Sequence, residues 1–284
     1  MNLKETYKNF LLQLQTIYGA SEASVITDWV FEHDASVKRM DIIKSPNGKL
    51  SESTVLQLQN HLAELLQHKP VQYVLGEAWF YNMKLKVNEH VLIPRPETED
   101  LVELILSIAK KQPPNIAILD IGTGSGCISI ALKKHLHAAV ITAIDVSNDA
   151  LTVAKQNAVN QNMHIEFKEF DFLNEAKWDK LPVFDVLVSN PPYIPINEKA
   201  KMRKNITEYE PASALFVPDN TPLLFYEKIA AFGKEHLNYN GKIFVEVHEN
   251  FAEKTVAVFK AANYTYVDVK KDMYGKDRIV MARN

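Results

Sequence analysis

The sequence predicts an α/β protein in which a doubly wound, mostly parallel sheet ends in an antiparallel hairpin, preceded by a small N-terminal helical bundle and a linking β-hairpin. Three observations support this prediction. From about residue 115 onward, short apolar runs alternate with amphipathic segments, as in strand–helix repeats. The first of these runs leads into a glycine-rich turn that opens a helix. Residues 1–75 instead carry their apolar residues at helical spacing, which favours a bundle.

The composition limits the class of protein. A chain of 284 residues has room for two domains and a sizeable core. Its net charge of −3 gives no global attraction to nucleic acid or to an anionic membrane. The single cysteine, Cys127, allows no internal disulfide, and no run is apolar enough to span a bilayer. The sequence has neither a signal-peptide pattern nor metal-ligand spacing. We therefore expect a cytoplasmic, metal-free monomer without a membrane partner.

The first predicted domain, residues 1–75, contains three apolar stripes. They comprise Leu3, Tyr7, Phe10, Leu11, Leu14, Ile17 and Tyr18 in one helix, Val25, Ile26, Trp29 and Val30 in a second, and Leu58, Leu62, Leu65 and Leu66 in a third. Such stripes need partners, so the helices are expected to pack on each other. The pattern does not distinguish a purely structural bundle from one that docks a macromolecular substrate.

Residues 76–94 are predicted to form a hairpin that links the two domains. A turn is expected at 88–90, leading into a return strand at 91–93. One face of the hairpin should carry the alternating residues Trp79, Tyr81, Met83, Leu85 and Val87. Pro94 and Pro96 then stop the strand, and the next helix is expected from about residue 98.

The second predicted domain, residues 95–284, opens with a binding motif. The strand at 116–121 runs into Gly122-Thr123-Gly124-Ser125-Gly126, where glycine lets the backbone approach a nucleotide-like ligand closely. Asp145 ends the following strand, at the spacing where an acid can accept both ribose hydroxyls of such a ligand. Ser147 is the better candidate for the N-cap of the next helix, which leaves Asp145 for binding.

A second motif follows the apolar strand at 184–188. Pro191 and Pro192 stop that strand and stiffen the turn that presents the carboxamide of Asn190. The oxygen of Asn190 can accept one N–H of a planar –NH2 group, and a backbone carbonyl of the turn can accept the other. Tyr193 could then stack on the flat face of the guest. This arrangement would aim a nitrogen at an electrophilic carbon, although a simple strand-closing turn has the same pattern.

The rest of the chain continues the strand–helix alternation. The segment from Asn190 to about Pro218 is too long for a plain connection and suggests a substrate-covering loop. Its basic run is a candidate nucleic-acid patch, for which a solvated loop face is the commoner explanation. The run comprises Lys199, Lys201, Arg203 and Lys204. A helix at 223–237, a strand at 242–247, a helix at 251–262 and two alternating strands then complete the expected sheet.

Four segments carry a resemblance to a known family. Residues 190–193, Asn-Pro-Pro-Tyr, resemble the catalytic tetrapeptide of S-adenosylmethionine-dependent glutamine N5- and adenine N6-methyltransferases. Residues 70–76 (Pro-x-x-Tyr-x-x-Gly), 92–99 (Leu-Ile-Pro-Arg-Pro-Glu-Thr-Glu) and 119–128 resemble one family specifically, the release factor glutamine methyltransferases (PrmC/HemK). The resemblance runs from about Pro70 to the C-terminus. One departure lies at 246–251, Glu-Val-His-Glu-Asn-Phe, where that family commonly has Glu-x-Gly-x-x-Gln.

The resemblance implies a fold and a set of site residues. The fold is a class I methyltransferase (Rossmann-like) seven-stranded sheet with a C-terminal antiparallel hairpin. The cofactor is S-adenosyl-L-methionine, with S-adenosyl-L-homocysteine as product, and its expected contacts are Gly122, Thr123, Gly124, Ser125, Gly126, Asp145, Asp171, Phe172 and Asn190. The resemblance places Asp171 and Phe172 beside the adenine, although Phe172 also reads as a core residue. Catalysis and acceptor binding are expected from Asn190, Pro191, Pro192 and Tyr193. Arg95 is expected either to fix the local conformation or to face the substrate, and a surface salt bridge is the alternative.

The resemblance also implies an activity, which is N5-methylation of the glutamine in the Gly-Gly-Gln motif of class-one peptide chain release factors. In that reading, the N-terminal bundle docks the release factor and nucleic acid is not a partner. Three alternatives remain at this point. They are an adenine N6-methyltransferase acting on DNA or RNA, a glutamine methyltransferase acting on a ribosomal protein, and a non-catalytic scaffold that binds S-adenosylmethionine.

Overall fold

The computed structural model describes residues 2–110, 113–272 and 274–284. The chain divides into two compact units. The first contains Met1–Glu77 together with Arg203–Tyr209, and the second contains Ala78–Met202 and Glu210–Asn284. No pattern in the sequence indicates that the short segment Arg203–Tyr209 of the long loop belongs with the N-terminal helices.

Helices and strands are numbered here in chain order. The helices are α1 (Leu3–Leu14), α2 (Ala20–Ala35), α3 (Arg39–Lys44), α4 (Glu52–Leu65), α5 (Val71–Leu75), α6 (Pro96–Ala109), α7 (Cys127–His135), α8 (Asn148–Asn160), α9 (Lys204–Thr207), α10 (Ala212–Leu215), α11 (Leu224–His236) and α12 (Ala252–Ala261). The strands are β1 (Glu77–Phe80), β2 (Met83–Lys86), β3 (Ala117–Ile121), β4 (Val140–Asp145), β5 (Glu166–Glu169), β6 (Phe184–Ser189), β7 (Ile194–Pro195), β8 (Phe216–Val217), β9 (Leu237–Glu246), β10 (Tyr266–Lys271) and β11 (Asp277–Arg283).

The first unit is a helical bundle with an apolar core. Most of the predicted stripes on α1 and α4 are buried, namely Leu3, Tyr7, Phe10, Leu14, Leu58, Leu62 and Leu65. Leu11, Ile17, Tyr18 and Leu66 are only partly buried, and α1 ends at Leu14, before Ile17 and Tyr18. On α2 the prediction is wrong for Val25 and Trp29, which are both 45% exposed. The residues that α2 does bury follow the helical spacing i, i+3, i+4, i+7 and i+8. They are Ala23, Ile26, Thr27, Val30 and Phe31.

The linking hairpin turns earlier than the sequence predicts. Tyr81 and Asn82 both have positive φ angles, 48° and 57°, as in a two-residue type I′ turn between β1 and β2. Phe80 and Met83 flank this turn and share the buried face, so Trp79 falls on the opposite face and is 65% exposed. The predicted return strand at 91–93 is absent, since those residues are not in a strand.

The second unit is built on a seven-stranded sheet with the order β10-β11-β9-β6-β3-β4-β5. Strands β5, β4, β3, β6 and β9 pair in parallel, whereas β11 is antiparallel to both β9 and β10. This topology confirms the predicted sheet and its C-terminal antiparallel hairpin. Helices cover the sheet and close two apolar core clusters.

The strand order reverses at β3, which fixes the place of the site. From β3 the chain continues outward through β4 and β5, and then returns to the other side of β3 as β6. The carboxyl ends of β3 and β6 therefore border a crevice, which is where open parallel sheets bind ligands. The glycine turn follows β3, Asp145 ends β4, and Asn190 follows β6.

Candidate active site

A cavity of about 440 Å³ lies in the second unit at the carboxyl ends of these strands. Segments that follow β3, β4, β5 and β6 line it, together with residues from 90–98 and 211–225. Most of the residues predicted for cofactor or acceptor binding lie in its wall, namely Arg95, Gly122, Thr123, Gly124, Ser125, Asp145, Asp171, Phe172, Asn190, Pro191 and Pro192. Gly126 and Tyr193 do not line it.

The glycine turn suits a ligand that lies against bare backbone. Gly122, Gly124 and Gly126 have φ angles of 74°, 55° and 80°, in the left-handed region that glycine adopts at less cost than residues with a Cβ. A Cβ at Gly122 or Gly124 would meet no atom within 4 Å, so the space beside them is open. At Gly126 a Cβ would lie 3.1 Å from Ile130 and 3.2 Å from Ala154. Gly126 therefore serves close packing of the helix rather than the cavity wall.

Asp145 ties two loops of the site together. Its Oδ2 accepts from the backbone N–H of Gly124, and its Oδ1 accepts from that of Ser147, both at 2.9 Å. Burial raises the pKa of Asp145, while these backbone donors oppose the shift. A carboxylate has further lone pairs, so Asp145 can still accept hydroxyl groups of a ligand. Ser147 caps α8 as predicted, accepting from the N–H of Ala150 at 3.1 Å.

Asp120 supports the glycine turn from within β3, a role that the sequence analysis missed. Its Oδ2 accepts from the hydroxyls of Thr123 and Ser129, both at 2.7 Å. The side chain is fully buried, and its Oδ1 has no hydrogen-bond partner among the described residues. Burial raises the pKa of Asp120 to about 6. The available signal was an acid inside an otherwise apolar strand, which seldom occurs without a partner.

Asp171 and Phe172 enter the wall from the loop after β5. Asp171 accepts from the backbone N–H of Leu173 at 3.1 Å. Phe172 is only 5% exposed, with its ring 5.7 Å from that of Trp178 and 5.4 Å from that of Phe232. The sequence suggested either a core residue or a cavity residue at Phe172, and the structure shows both, because Phe172 packs in the core and also borders the cavity. Its contact with adenine stays a prediction.

Asn190 is held by a chain of hydrogen bonds that begins at a buried acid. Its Nδ2 donates to Thr98 Oγ1 at 3.1 Å, and Thr98 Oγ1 donates to Glu246 Oε2 at 2.7 Å. The hydroxyl of Tyr193 donates to Glu246 Oε1 at 3.1 Å. Tyr193 is thus directed toward Glu246 rather than toward the cavity, which differs from the stacking role that we expected. Sequence reasoning did not identify Glu246 or Thr98 as site residues.

Arg95 forms a part-buried ion pair at the edge of the cavity. Its Nη2 donates to Glu210 Oε1, and Glu210 Oε2 accepts from the backbone N–H of Ile93 at 3.2 Å. The side chain of Arg95 is 31% exposed and that of Glu210 is 1% exposed. Arg95 therefore anchors the residue that precedes Pro211, a wall residue of the long loop, and it also borders the cavity itself.

The described residues contain neither a candidate metal cluster nor a candidate membrane span. Over residues 2–110, 113–272 and 274–284, no group of three or more His, Cys, Asp or Glu side chains is arranged to hold a metal ion. In that same part of the chain, no helix is both long and apolar enough to cross a membrane. Cys127 borders the cavity, and burial raises the pKa of its thiol to about 12.

Comparison with known proteins identifies the family. The PrmC N-terminal domain family matches residues 7–76, and the Methyltransferase small domain family matches residues 100–209. A release factor glutamine methyltransferase of Flavobacterium psychrophilum is 41% identical over 282 residues, which cover 99% of this chain and 98% of that protein. One of Bacteroides thetaiotaomicron is 38% identical, over 95% of each chain. This chain belongs to the release factor glutamine methyltransferase family.

A solved structure supports the fold independently. A methyltransferase from Pyrococcus furiosus is 17% identical and superposes with a TM-score of 0.50, over 79% of this chain and 98% of that one. At this level of identity the likeness concerns the fold alone. It agrees with the class I methyltransferase sheet that the strand order defines.

The departure from the release factor glutamine methyltransferase pattern lies beside the tetrapeptide. The ring of His248 is 6.0 Å from that of Tyr193 and 5.4 Å from that of Phe251, so the two departing residues pack together. His248 Nδ1 accepts from the backbone N–H of Asn250 at 3.1 Å, and its Nε2 is 3.6 Å from Glu198 Oε2. These contacts involve neither Asn190 nor Thr98.

Proposed function

We propose that this chain transfers a methyl group from S-adenosyl-L-methionine to the side-chain amide nitrogen, N5, of the glutamine in the Gly-Gly-Gln motif of class-one peptide chain release factors. The observation that carries the proposal is the position of Asn190. It borders the same cavity as the glycine turn and Asp145, in a chain that is 41% identical to a release factor glutamine methyltransferase over nearly its whole length.

The residues of the cavity fit the proposed cofactor. The cofactor could lie against the open backbone at Gly122 and Gly124. The carboxylate of Asp145 would accept hydrogen bonds from its ribose hydroxyls, and Asp171 and Phe172 would border its adenine. When bound, the cofactor supplies a sulfonium methyl group that is already activated, so the protein needs neither a nucleophile nor a metal. The task of the chain's own residues is then to position the acceptor and to exclude water.

Asn190 and the proline turn would hold the acceptor amide. Asn190 Oδ1 accepts one N–H of the glutamine amide, and a backbone carbonyl of the turn accepts the other. Because the nitrogen becomes more positive as it takes up the methyl group, these two fixed acceptors stabilise the transition state more than the ground state. Pro191 and Pro192 keep the turn rigid, so the acceptors need no reorganisation during the reaction.

The partner is a folded protein rather than a nucleic acid in this proposal. The first unit matches the PrmC N-terminal domain, and it is our candidate for docking the release factor. The basic run that would favour nucleic acid is partly engaged within the protein. Lys199 Nζ lies 5.6 Å from the centre of the Phe216 ring, and Arg203 Nη1 lies 3.4 Å from Glu22 Oε1. We further propose that the protein acts as a monomer in the cytoplasm.

Mass spectrometry of an intact release factor, after incubation with the protein and S-adenosylmethionine, tests the proposal. We expect the glutamine of the Gly-Gly-Gln peptide to gain the mass of one methyl group. DNA and RNA incubated in the same way should gain no methyl group. Asn190→Ala is the control and should lower the rate on the order of 10²–10³-fold while cofactor affinity is kept. Methyl transfer to adenine, or none to the release factor, would overturn the proposal.

A further inference from the structure

Glu246 connects three separate parts of the second unit at its buried carboxylate. It ends β9 and is only 1% exposed. One oxygen accepts from Thr98 in the first turn of α6, at 2.7 Å, and the other accepts from Tyr193 after β6, at 3.1 Å. Thr98 is itself 2% exposed and also bonds Asn190. A single acid therefore contacts the tetrapeptide at both its ends, directly at Tyr193 and through Thr98 at Asn190.

The chemistry of these groups gives the hydrogen bonds a direction. An ionised carboxylate only accepts, so the hydroxyl hydrogen of Thr98 must point at Glu246. The lone pairs that remain on Thr98 Oγ1 can only accept, and the group that donates to them is Asn190 Nδ2, at 3.1 Å. Nδ2 and Oδ1 lie at opposite ends of one planar carboxamide. Because Nδ2 bonds Thr98, Oδ1 is the end that can accept a hydrogen bond from a group in the cavity.

The groups around Glu246 act on its pKa in both directions. Burial raises the pKa of Glu246, and the negative charge of Glu97 acts in the same direction. The hydroxyl donors Thr98 and Tyr193 and the positive charge of Arg278 lower it. The hydroxyl of Tyr226 donates to the backbone carbonyl of Glu246 at 3.1 Å, which fixes the strand end without occupying the carboxylate. Each carboxylate oxygen thus faces one side-chain hydroxyl, Oε2 facing Thr98 and Oε1 facing Tyr193, which is the geometry of an acceptor on both sides.

We propose that Glu246, acting through Thr98, is a positioning residue that fixes which end of the Asn190 carboxamide meets the acceptor. This inference rests on the proposed function, in which Asn190 Oδ1 accepts an N–H from the glutamine amide. In the opposite orientation, Asn190 would present an –NH2 group to an –NH2 group, and no hydrogen bond could form. Thr98 borders the cavity, but in this scheme its hydroxyl bonds Asn190 and Glu246 and selects the accepting orientation without pairing with the substrate.

Replacing Thr98 tests the relay. Thr98→Val keeps the shape of the side chain but removes both hydrogen bonds, so kcat should fall by about 10- to 100-fold, the range for losing a partner that orients a site residue. The KM for the release factor and the Kd for S-adenosylhomocysteine should stay within about twofold, because Thr98 does not pair with either ligand in this scheme. Thr98→Ser restores the hydroxyl and should recover most of kcat.

Thr255→Val is the matched control. Thr255 is fully buried on α12, and its hydroxyl is a buried side-chain group without a hydrogen-bond partner among the described residues. Thr255→Val is therefore the same substitution at comparable burial, but it removes no hydrogen bond among the described residues. We expect its kcat to match that of the unmodified protein.

A double-mutant cycle with Asn190→Ala separates positioning from general support of the fold. If Thr98 acts through Asn190, Thr98→Val should cause no further loss of kcat once the carboxamide is gone. Glu246→Gln can accept from only one of its two hydroxyl donors, and it should also lower kcat in the presence of Asn190 but not in its absence. A purely structural role would lower kcat by the same factor in both backgrounds.

A readout without turnover makes the inference independent of the assigned reaction. The side-chain –NH2 protons of Asn190, identified in NMR spectra by their loss in Asn190→Ala, should exchange slowly with solvent and become faster in Thr98→Val. A folded Thr98→Val protein with unchanged kcat and unchanged exchange would overturn the inference, as would equal losses in both backgrounds. If the unmodified protein does not methylate a release factor, the proposed function fails, and the exchange measurement still decides the orientation of Asn190.

Discussion

Asp145 combines a structural role with its proposed role in binding the cofactor. Its two oxygens already hold the N–H groups of Gly124 and Ser147, each at 2.9 Å. The geometry of the glycine turn thus depends on the same carboxylate that is proposed to bind the ribose. Removing it should affect both ligand affinity and local stability, rather than ligand affinity alone.

We expect Asp145→Ala to weaken binding of S-adenosylmethionine by one or two charge-assisted hydrogen bonds, roughly 1.5–3 kcal/mol each. The melting temperature should also fall, since the N–H of Gly124 loses its partner. Isothermal titration calorimetry and thermal unfolding measure the two effects. Unchanged affinity in a folded variant would remove the ribose assignment.

Asp120 gives stability a pH dependence of known sign. Burial raises its pKa from 3.8 to about 6, so between about pH 4 and pH 6 the unfolded chain loses this proton before the folded one does. The free energy of unfolding should therefore fall as pH rises through that window, by about 3 kcal/mol at most. Asp120→Asn keeps an acceptor for Thr123 and Ser129 but does not titrate. Relative to the unmodified protein, the free energy of unfolding of this variant should increase from pH 4 to pH 6 in urea titrations. Parallel pH profiles of the two free energies would contradict this account.

The sequence identified the residues whose backbone or motif is distinctive, and it missed those whose role depends on distant partners. Gly122, Gly124 and Asn190 sit in short motifs, and all three border the cavity. Thr98 and Glu246 lie 148 positions apart, so nothing local indicates that one bonds the other. The α6 terminus and the end of β9 meet only after the sheet has formed, which no periodicity argument describes.

At the scale of elements, the long segment after Asn190 is fixed near its far end by Arg95 and Glu210. The carboxylate of Glu210 is buried, and Arg95 and the N–H of Ile93 are its hydrogen-bond donors. An unpaired buried charge costs more than an unpaired exposed one. The part of the loop that borders the cavity, including Pro211, therefore depends on this pair.

Arg95→Ala should lower the free energy of unfolding by about 1–3 kcal/mol, because Glu210 keeps its charge but loses its cation. It should also speed proteolytic cleavage near residues 210–217. Arg39→Ala is the matched control, since Arg39 forms an exposed pair with Asp28 at 3.8 Å, and such pairs contribute about 0–1 kcal/mol. Equal effects of the two substitutions would mean that the Arg95 pair acts as an ordinary surface contact.

The hairpin shows why the alternation of side chains alone placed one element wrongly. Trp79 and Tyr81 fit an alternating apolar face, but a two-residue turn at Tyr81 and Asn82 puts Phe80 on the buried side instead. The sequence contains no Asn-Gly or Asp-Gly pair at this turn, so its usual signal was missing. In contrast, β3 and β6 were predicted to within one residue, because each is a short apolar run bounded by clear stops. The strand predicted at 242–247 begins earlier, since β9 starts at Leu237.

At the scale of the whole molecule, the wall of the cavity belongs entirely to the second unit. A chain that lacks residues 1–77 should therefore keep its affinity for S-adenosylhomocysteine, once circular dichroism shows that it is folded. If the first unit docks the release factor, the KM for the intact factor should rise in the same truncated protein. An unchanged KM would mean that the first unit is only structural.

The segment Arg203–Tyr209 provides an internal check on that truncation. In the first unit, Arg203 pairs with Glu22, and the hydroxyl of Tyr209 donates to the carbonyl of Gln67 at 2.7 Å. Without residues 1–77 the segment loses both partners. Limited proteolysis should then cut within 203–209 in the truncated chain and spare the full-length one. Resistance in both would show that the segment is held by other contacts.

The same segment makes the order of synthesis matter. The ribosome must make residues 78–202, which number 125, before it adds Arg203–Tyr209 to the first unit. At about 5–20 residues per second, this interval lasts roughly 6–25 s. The N-terminal helices thus leave the exit tunnel early, but the first unit lacks its last segment during this interval. The carbonyl of Gln67 cannot accept from the hydroxyl of Tyr209 until that residue has been added. The nascent chain therefore cannot complete its first unit before most of its second unit has been translated.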